Sequence, residues 1–190
     1  PADDLITQLI AAESEGEKLS TDELIATCIL LLNAGHEATV HTIGNGVKTL
    51  VETRTSLTAL APDSAEGTVE EILRYDPALH MFTRWAYEDI EVMGRRFRRG
   101  DRVGLLLAAA NRDPGVWDQP ARFNPSRPIK PLATFGAGLH FCVGAPLARL
   151  ELQIALPILF QYHPNLALAA KPEYADVYHF HGLSELRVTA

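Results

Sequence analysis

Cysteine is scarce in this chain of 190 residues: there are two, Cys28 and Cys142. They stand far apart and neither belongs to a C-x-x-C pair, which argues against a disulfide framework, a zinc ribbon or a cysteine-held cluster. Long apolar runs are missing too. The longest, LIATCILLL at 24–32, falls short of the roughly 18 residues a spanning helix needs, and no positively charged leader precedes an apolar region at the start. A cytoplasmic chain with no membrane role is therefore expected. Basic residues do not predominate: 17 Lys and Arg face 24 Asp and Glu, giving a formal charge of -7 and speaking against a non-specific nucleic-acid binder. The one basic patch, RRFRRGDR at 95–102, reads as a solvated hairpin. Internal repeats, low-complexity tracts and a Gly-Lys-Ser/Thr phosphate loop are all absent. What remains is 47% hydrophobic, enough for a sizeable core.

The pattern along the chain predicts helices first and short strands later. DDLITQLIAAE carries an amphipathic stripe at Leu5, Ile6, Leu9 and Ile10. After the polar break SEGEK, Ser20 and Glu23 form a capping box that opens an apolar helix reaching into the fifties. NAGHEAT interrupts it with Gly35, His36 and Glu37; a helical glycine costs about 1 kcal/mol, so a close approach by something flat or bulky explains it. TVEEILRYDP predicts a short helix stopped at Asp76-Pro77, with Glu71 and Arg74 on one face. Residues 83–107 predict a small sheet with turns at Met93-Gly94 and Arg99-Gly100. Five prolines in 113–134 mark an ordered meander, and Ala145-Pro146 opens a last helix, PLARLELQIAL.

Between meander and helix lies FGAGLHFCVG, residues 135–144, which holds Cys142. Gly136 and Gly138 start a dinucleotide fingerprint whose third glycine is missing, and a zinc site on His140 and Cys142 needs two further ligands, for which His179 and His181 are the candidates. Taken alone, a cysteine is most often a small buried hydrophobe. Flanking glycines that free backbone N–H groups, with a helix N-terminus directly behind, instead suit a thiolate, and one thiolate is enough for haem iron.

At this point the chain resembles the cytochrome P-450 family of haem-thiolate monooxygenases, in its soluble bacterial form. Phe135, Gly138, Cys142 and Gly144 match the family's F-x-x-G-x-x-x-C-x-G; Ala34, Gly35, His36 and Glu37 match the oxygen-face motif of its long helix; Glu71 and Arg74 match E-x-x-R. Arg127 in RFNPSRP stands where a third, charge-bridging arginine is expected, and ANRDP and LARLE are typical of bacterial members. The resemblance implies a mainly α fold with a small β-sheet, namely the C-terminal portion of the P-450 fold with its long distal helix and cysteine-ligand loop. It implies heme b with Cys142 as axial ligand; Phe135, Gly136, Ala34 and Gly35 against the macrocycle; and Arg84 and His140 at its propionates. Glu37, Ala38 and Thr39 occupy the oxygen-activation positions, and His80, Met81 and Phe180 fall in stretches that line the substrate cavity. A small organic substrate and a ferredoxin-type redox partner are implied, with insertion of one oxygen atom into the substrate. Glu71, Arg74 and Arg127 are expected to be a buried scaffold, and Cys28 inert packing.

Two departures stand out. The threonine that normally follows the acid is replaced by Ala38, with Thr39 one place later, a rotation of about 100° on a helix. The resemblance also corresponds only to the C-terminal half of a usual member, so residues 1–190 are expected to be the haem-ligating portion of a domain whose N-terminal half is missing, exposing apolar surface. The alternative is a haem-binding or partner-binding fragment without turnover.

Overall fold

A computed structural model of the chain describes residues 2–11, 13–14 and 17–190. They fall into two compact units, the first through Glu37 and the second from Ala38 to Ala190.

The first unit holds α1 (Leu5–Ala11) and the paired strands β1 (Glu13–Ser14) and β2 (Glu17–Lys18). The helix expected over DDLITQLIAAE keeps its whole stripe but ends at Ala11, before Glu13, which pairs with Lys18. Ala12, and Glu15 and Gly16 of the polar break, lie outside the described residues. The capping box is formed: Ser20 N–H donates to Glu23 Oε2 at 2.8 Å and Glu23 N–H returns a bond to Ser20 Oγ at 3.3 Å. It starts α2 (Thr21–Glu52), whose Ile25, Ile29, Leu30 and Leu32 are exposed, in keeping with the expected uncovered apolar surface. Cys28 on this stretch is half-buried.

In the second unit, the C-terminal part of α2 packs with α3 (Ala65–Tyr75) and α5 (Ala145–Tyr162) around Val47, Leu50, Val69, Ile72, Leu152, Leu156 and Phe160. Proline in the first turn of α5 lacks an N–H that would have no intrahelical partner there in any case, and Ala145 behind the loop is fully buried. Gly67 admits the meander to α3: a Cβ there would stand 2.9 Å from the Pro125 carbonyl oxygen.

Strands β3 (Met81–Trp85), β4 (Ile90–Val92), β5 (Arg95–Phe97) and β6 (Arg102–Leu106) occupy the predicted sheet region, β3 starting two residues before it, but as two separate ladders. β3 pairs with β6 and β4 with β5, both antiparallel. Between the two ladders lies the turn at Arg98–Asp101, whose Gly100 N–H donates to Ala86 O at 2.8 Å. Arg95 and Arg96 are exposed on the hairpin, matching the solvated reading of the basic patch. After β6 come α4 (Leu107–Ala110), the proline meander, the cysteine loop and α5, then β7 (Ala167–Leu168), β8 (Glu173–Tyr174), β9 (Leu183–Glu185) and β10 (Val188–Thr189). The last four pair as β7 with β10 and β8 with β9. No helix among the described residues is long and apolar enough to cross a membrane.

Candidate functional site

The cysteine loop is shaped by two glycines in the left-handed region, Gly136 at φ 69° and Gly138 at φ 63°. Gly136 could not be replaced cheaply, since a Cβ there would also come within 3.2 Å of the His140 carbonyl oxygen. The turns bring the chain back so that Cys142 N–H donates to Phe135 O at 2.9 Å and Phe141 N–H to Gly138 O at 3.0 Å. Cys142 is thereby fixed through its backbone while its side chain stays exposed. Around it Leu139, Phe141 and Val143 are exposed as well, Leu139 and Val143 almost completely, at 103% and 88%. An apolar rim around an accessible sulfur is the outstanding feature of the loop.

Behind the loop lies a buried polar frame. Arg74 and Glu71, 1% and 2% exposed, form a two-pronged pair with Arg74 Nε to Glu71 Oε2 at 2.7 Å and the second prong at 2.8 Å. Arg127 Nε donates to the same Oε2 at 3.1 Å, and Asn124 N–H to Oε1 at 2.8 Å, so the meander is pinned to α3 as expected. Arg74 further donates to the carbonyls of Asn111, Pro120 and Arg122. Asn111 then carries the order forward: its Oδ1 accepts Ala133 N–H at 2.8 Å and its amide donates to Thr134 Oγ at 2.7 Å, immediately before Phe135. On the other side Arg149 of α5 pairs with Glu70 through both carboxylate oxygens and lies over the Phe135 ring, 4.6 Å from its centroid. Adjacent acids on α3 therefore serve two anchors, Glu71 for the meander and Glu70 for the helix after the cysteine.

A second polar cluster sits where α3 ends. Buried Asp76 accepts from His181 Nε2 at 3.1 Å, Tyr174 Oη at 2.7 Å and Lys48 Nζ at 3.3 Å. Burial opposes its ionisation, but the hydrogen bonds from His181 and Tyr174 and the charge of Lys48 outweigh it, and the carboxyl lies below its ordinary value of 3.8. Burial first, then the Asp76 hydrogen bond, pushes the Tyr174 hydroxyl up to about 12. Because the folded value of Asp76 is below the unfolded one, its stabilisation is complete above the unfolded value and is lost as pH falls through the folded one. Thermal melts taken from about pH 6 down to about pH 3 are expected to show a fall in melting temperature that is shallower in Asp76→Asn; parallel curves would contradict this role.

The sequence-predicted residues take these places. Phe135, Gly136, His140 and Cys142 share the loop, with Phe135 and Gly136 half-buried and His140 exposed. Arg84 lies exposed on β3 and donates to the Thr83 carbonyl at 3.0 Å. His80 and Met81 enter β3, and a bridge between Leu79 and Phe180 brings Phe180 beside that entry. His80 stacks on His181 at 4.0 Å, and Phe180 faces His41 at 5.5 Å. Ala34, Gly35 and Glu37 are exposed on α2 in the first unit; a Cβ on Gly35 would meet no atom within 4 Å. Ala38 and Thr39, half-buried, begin the second unit, where the Ala38 carbonyl accepts from Thr42 Oγ1 at 2.7 Å. Glu70, Asn111, Arg149, Lys48 and Tyr174 were not singled out by sequence, although TVEEILRYDP, ANRDP and LARLE contain three of them; Asp76 was read only as a helix stop and His181 only as a candidate ligand beside Cys142.

The family model described as Cytochrome P450 matches residues 65–165, which hold the Glu71–Arg74 frame, the meander and the cysteine loop. The chain belongs to the cytochrome P450 family. It is 43% identical over 192 residues to the Biotin biosynthesis cytochrome P450 of Bacillus subtilis, covering 100% of this chain and 48% of that protein. It is 41% identical over 176 residues to the Polyketide biosynthesis cytochrome P450 PksS of the same species, with 91% and 44% covered. The chain spans about half the length of the curated relatives it matches. Among solved structures, P450BioI in complex with hexadec-9Z-enoic acid ligated acyl carrier protein superimposes with TM-score 0.92 at 42% identity, covering 100% of this chain and 49% of that one. PksS does so with TM-score 0.94 at 38% identity, covering 100% and 50%. The P450 fold over this chain is helical with small antiparallel sheets, as the sequence implied. For a P450 the residues present fit the family's haem: a lone accessible sulfur, an exposed apolar rim to meet a flat macrocycle, and two exposed cationic-capable side chains, Arg84 and His140, to meet carboxylates.

Proposed function

We propose that this chain is the haem-ligating portion, residues 1–190, of a bacterial P450 monooxygenase domain, acting on a small organic substrate with electrons from a ferredoxin-type redox partner and completed by an N-terminal half. The observation that carries this reading is the exposed Cys142 held by its own backbone in an apolar-rimmed loop, in a chain of this family. Heme b, when bound, supplies reductive activation of dioxygen. Cys142 would hold the iron as thiolate, helped by the start of α5 immediately behind it. By the family pattern Phe135, Gly136, Ala34 and Gly35 would hold the macrocycle, and Arg84 and His140 would hold its carboxylates. His80, Met81 and Phe180 line the substrate. Glu37 holds and passes protons, with Ala38 and Thr39 beside it at the oxygen-activation positions.

The test of the reaction class is turnover under isotopically labelled dioxygen with a surrogate ferredoxin and reductase. One labelled atom in the product supports the reading, and label from water or no product with haem fully bound contradicts it.

Ala38 gives a finer prediction. With no hydroxyl directly after the acid, proton delivery rests on Glu37, ordered water and a hydroxyl of the substrate where one is suitably placed. Product formed per reduced nicotinamide is expected to be higher for hydroxylated substrates than for their deoxygenated counterparts. Ala38→Thr is expected to raise coupling of the deoxygenated member by about twofold or more. Equal, high coupling for every pair in the Ala38 protein would show that another group delivers the proton, with Thr39 or His36 the next to examine.

A further inference from the structure

We propose that the hairpin of β4 and β5 is a docking surface for an acidic segment of another protein, a role that goes beyond the haem reading and does not depend on it. The tip carries the first sign. Val92 and Arg95 face each other in register, so Met93 and Gly94 form the two-residue loop between them, and both lie in the left-handed region at φ 51° and 74°. Such a turn suits the twist of a hairpin, but its first position is usually asparagine, aspartate or glycine, because a larger side chain is strained there. Methionine holds that conformation while its side chain is 98% exposed. Strain that no internal contact offsets points to a partner outside the chain.

The charges around the tip are divided in the same sense. Asp89 Oδ1 accepts Arg99 N–H at 3.0 Å and its Oδ2 accepts from Arg96 Nη2 at 3.0 Å, while Asp101 Oδ2 accepts Arg98 N–H at 2.8 Å. Both carboxylates thus hold the backbone of the second turn. Glu91 stands opposite Arg96 in the ladder. The guanidinium groups of Arg95, Arg98 and Arg99 are left over: all three residues are exposed, and none of these groups has a partner among the described residues. An arginine fork offers paired donors that fit a carboxylate. The chain as a whole carries a formal charge of -7, so an acidic partner is repelled elsewhere and steered to this hairpin.

Apolar side chains complete the surface. Tyr87 is 91% exposed, and Trp85, exposed on β3, has Arg102 opposite it in register with the guanidinium 5.8 Å from the ring centroid. Strand alternation turns Trp85 to the face opposite Arg84, so this shelf is separate from the arginine proposed for the haem carboxylates. Tryptophan, tyrosine, methionine and arginine are the residues that protein interfaces concentrate. The interspersed, exposed Glu88 and Glu91 oppose a uniformly anionic membrane or nucleic acid and suit a protein whose carboxylates alternate with other groups.

The test is binding of a fluorescein-labelled helical peptide rich in glutamate and leucine, read by fluorescence anisotropy. A dissociation constant of about 10–100 µM is expected at about 20 mM salt, weakened at least about fivefold at about 200 mM. With Trp117 buried, acrylamide quenching of tryptophan emission reads Trp85, and the peptide is expected to lower it. Arg95→Glu, Arg98→Glu and Arg99→Glu together are expected to weaken binding at least about tenfold and to transfer preference to the counterpart peptide with lysine for glutamate. Met93→Asn relieves the turn, and is expected to raise the melting temperature while weakening peptide binding about threefold, a pairing that a merely structural methionine would not give. Haem loading is expected to leave these values unchanged, which keeps this result separate from the test of the haem reading. Absence of saturable peptide binding, unaltered affinity in either variant, or tighter binding to phosphatidylglycerol vesicles or duplex DNA than to the peptide would each overturn the proposal.

Discussion

Cys142→Ser is expected to abolish the red-shifted absorption band of the reduced, carbon monoxide-bound haem protein. The band depends on electron density from a thiolate opposite the bound gas, and a serine hydroxyl does not ionise to supply it. The change should remain local. Cys142 is exposed, and the loop is held by its backbone bond to Phe135 and by the glycine turns, none of which involves the sulfur. Far-ultraviolet dichroism and the melting temperature of the haem-free form are therefore expected to stay unchanged while the spectrum changes completely. Persistence of the band in Cys142→Ser would require another axial ligand and would remove the basis of the haem assignment.

Arg74→Ala is expected to destabilise the fold by about 3–5 kcal/mol, the usual cost of removing one partner from a buried ion pair. The pair is almost wholly buried, and Glu71 would keep only Arg127 and the Asn124 N–H. The backbone carbonyls of Asn111 and Pro120 would lose the Arg74 donor as well, and that of Arg122 would be left with Arg127 Nη2. Since domains are stable by about 5–15 kcal/mol, this removes a large share of the whole. Urea unfolding should show a lower midpoint with an unchanged slope, and a loss under about 1 kcal/mol would mean that the frame is not the anchor described here. Replacing exposed Arg96, paired with Asp89 at 3.0 Å on the surface hairpin, is expected to cost well under 1 kcal/mol.

The contrast between these pairs shows what could be read without coordinates. Glu71 and Arg74 are three apart on one helix, so helical spacing alone places them together, and the family motif added Arg127. The cysteine loop was legible for a similar reason: its glycines, cysteine and following proline are contiguous and each has a local backbone role. Glu70 and Arg149 lie 79 positions apart, and no spacing joins them. The same holds for Asp76 with Tyr174, 98 positions away, and for His80 with His181, which meet because the segment after β8 returns to the end of α3. The division of the single predicted sheet into two ladders was not legible, because turn signals mark where a hairpin bends and not where its pairing stops.

The central claim is the bond between the Cys142 sulfur and haem iron. Resonance Raman spectroscopy of the oxidised, haem-loaded protein, prepared with natural and with heavy-sulfur cysteine, reads that bond directly. An iron–sulfur stretching band that moves to lower frequency on labelling and is absent from Cys142→Ser is the predicted result; a spectrum indifferent to the sulfur isotope would contradict the account.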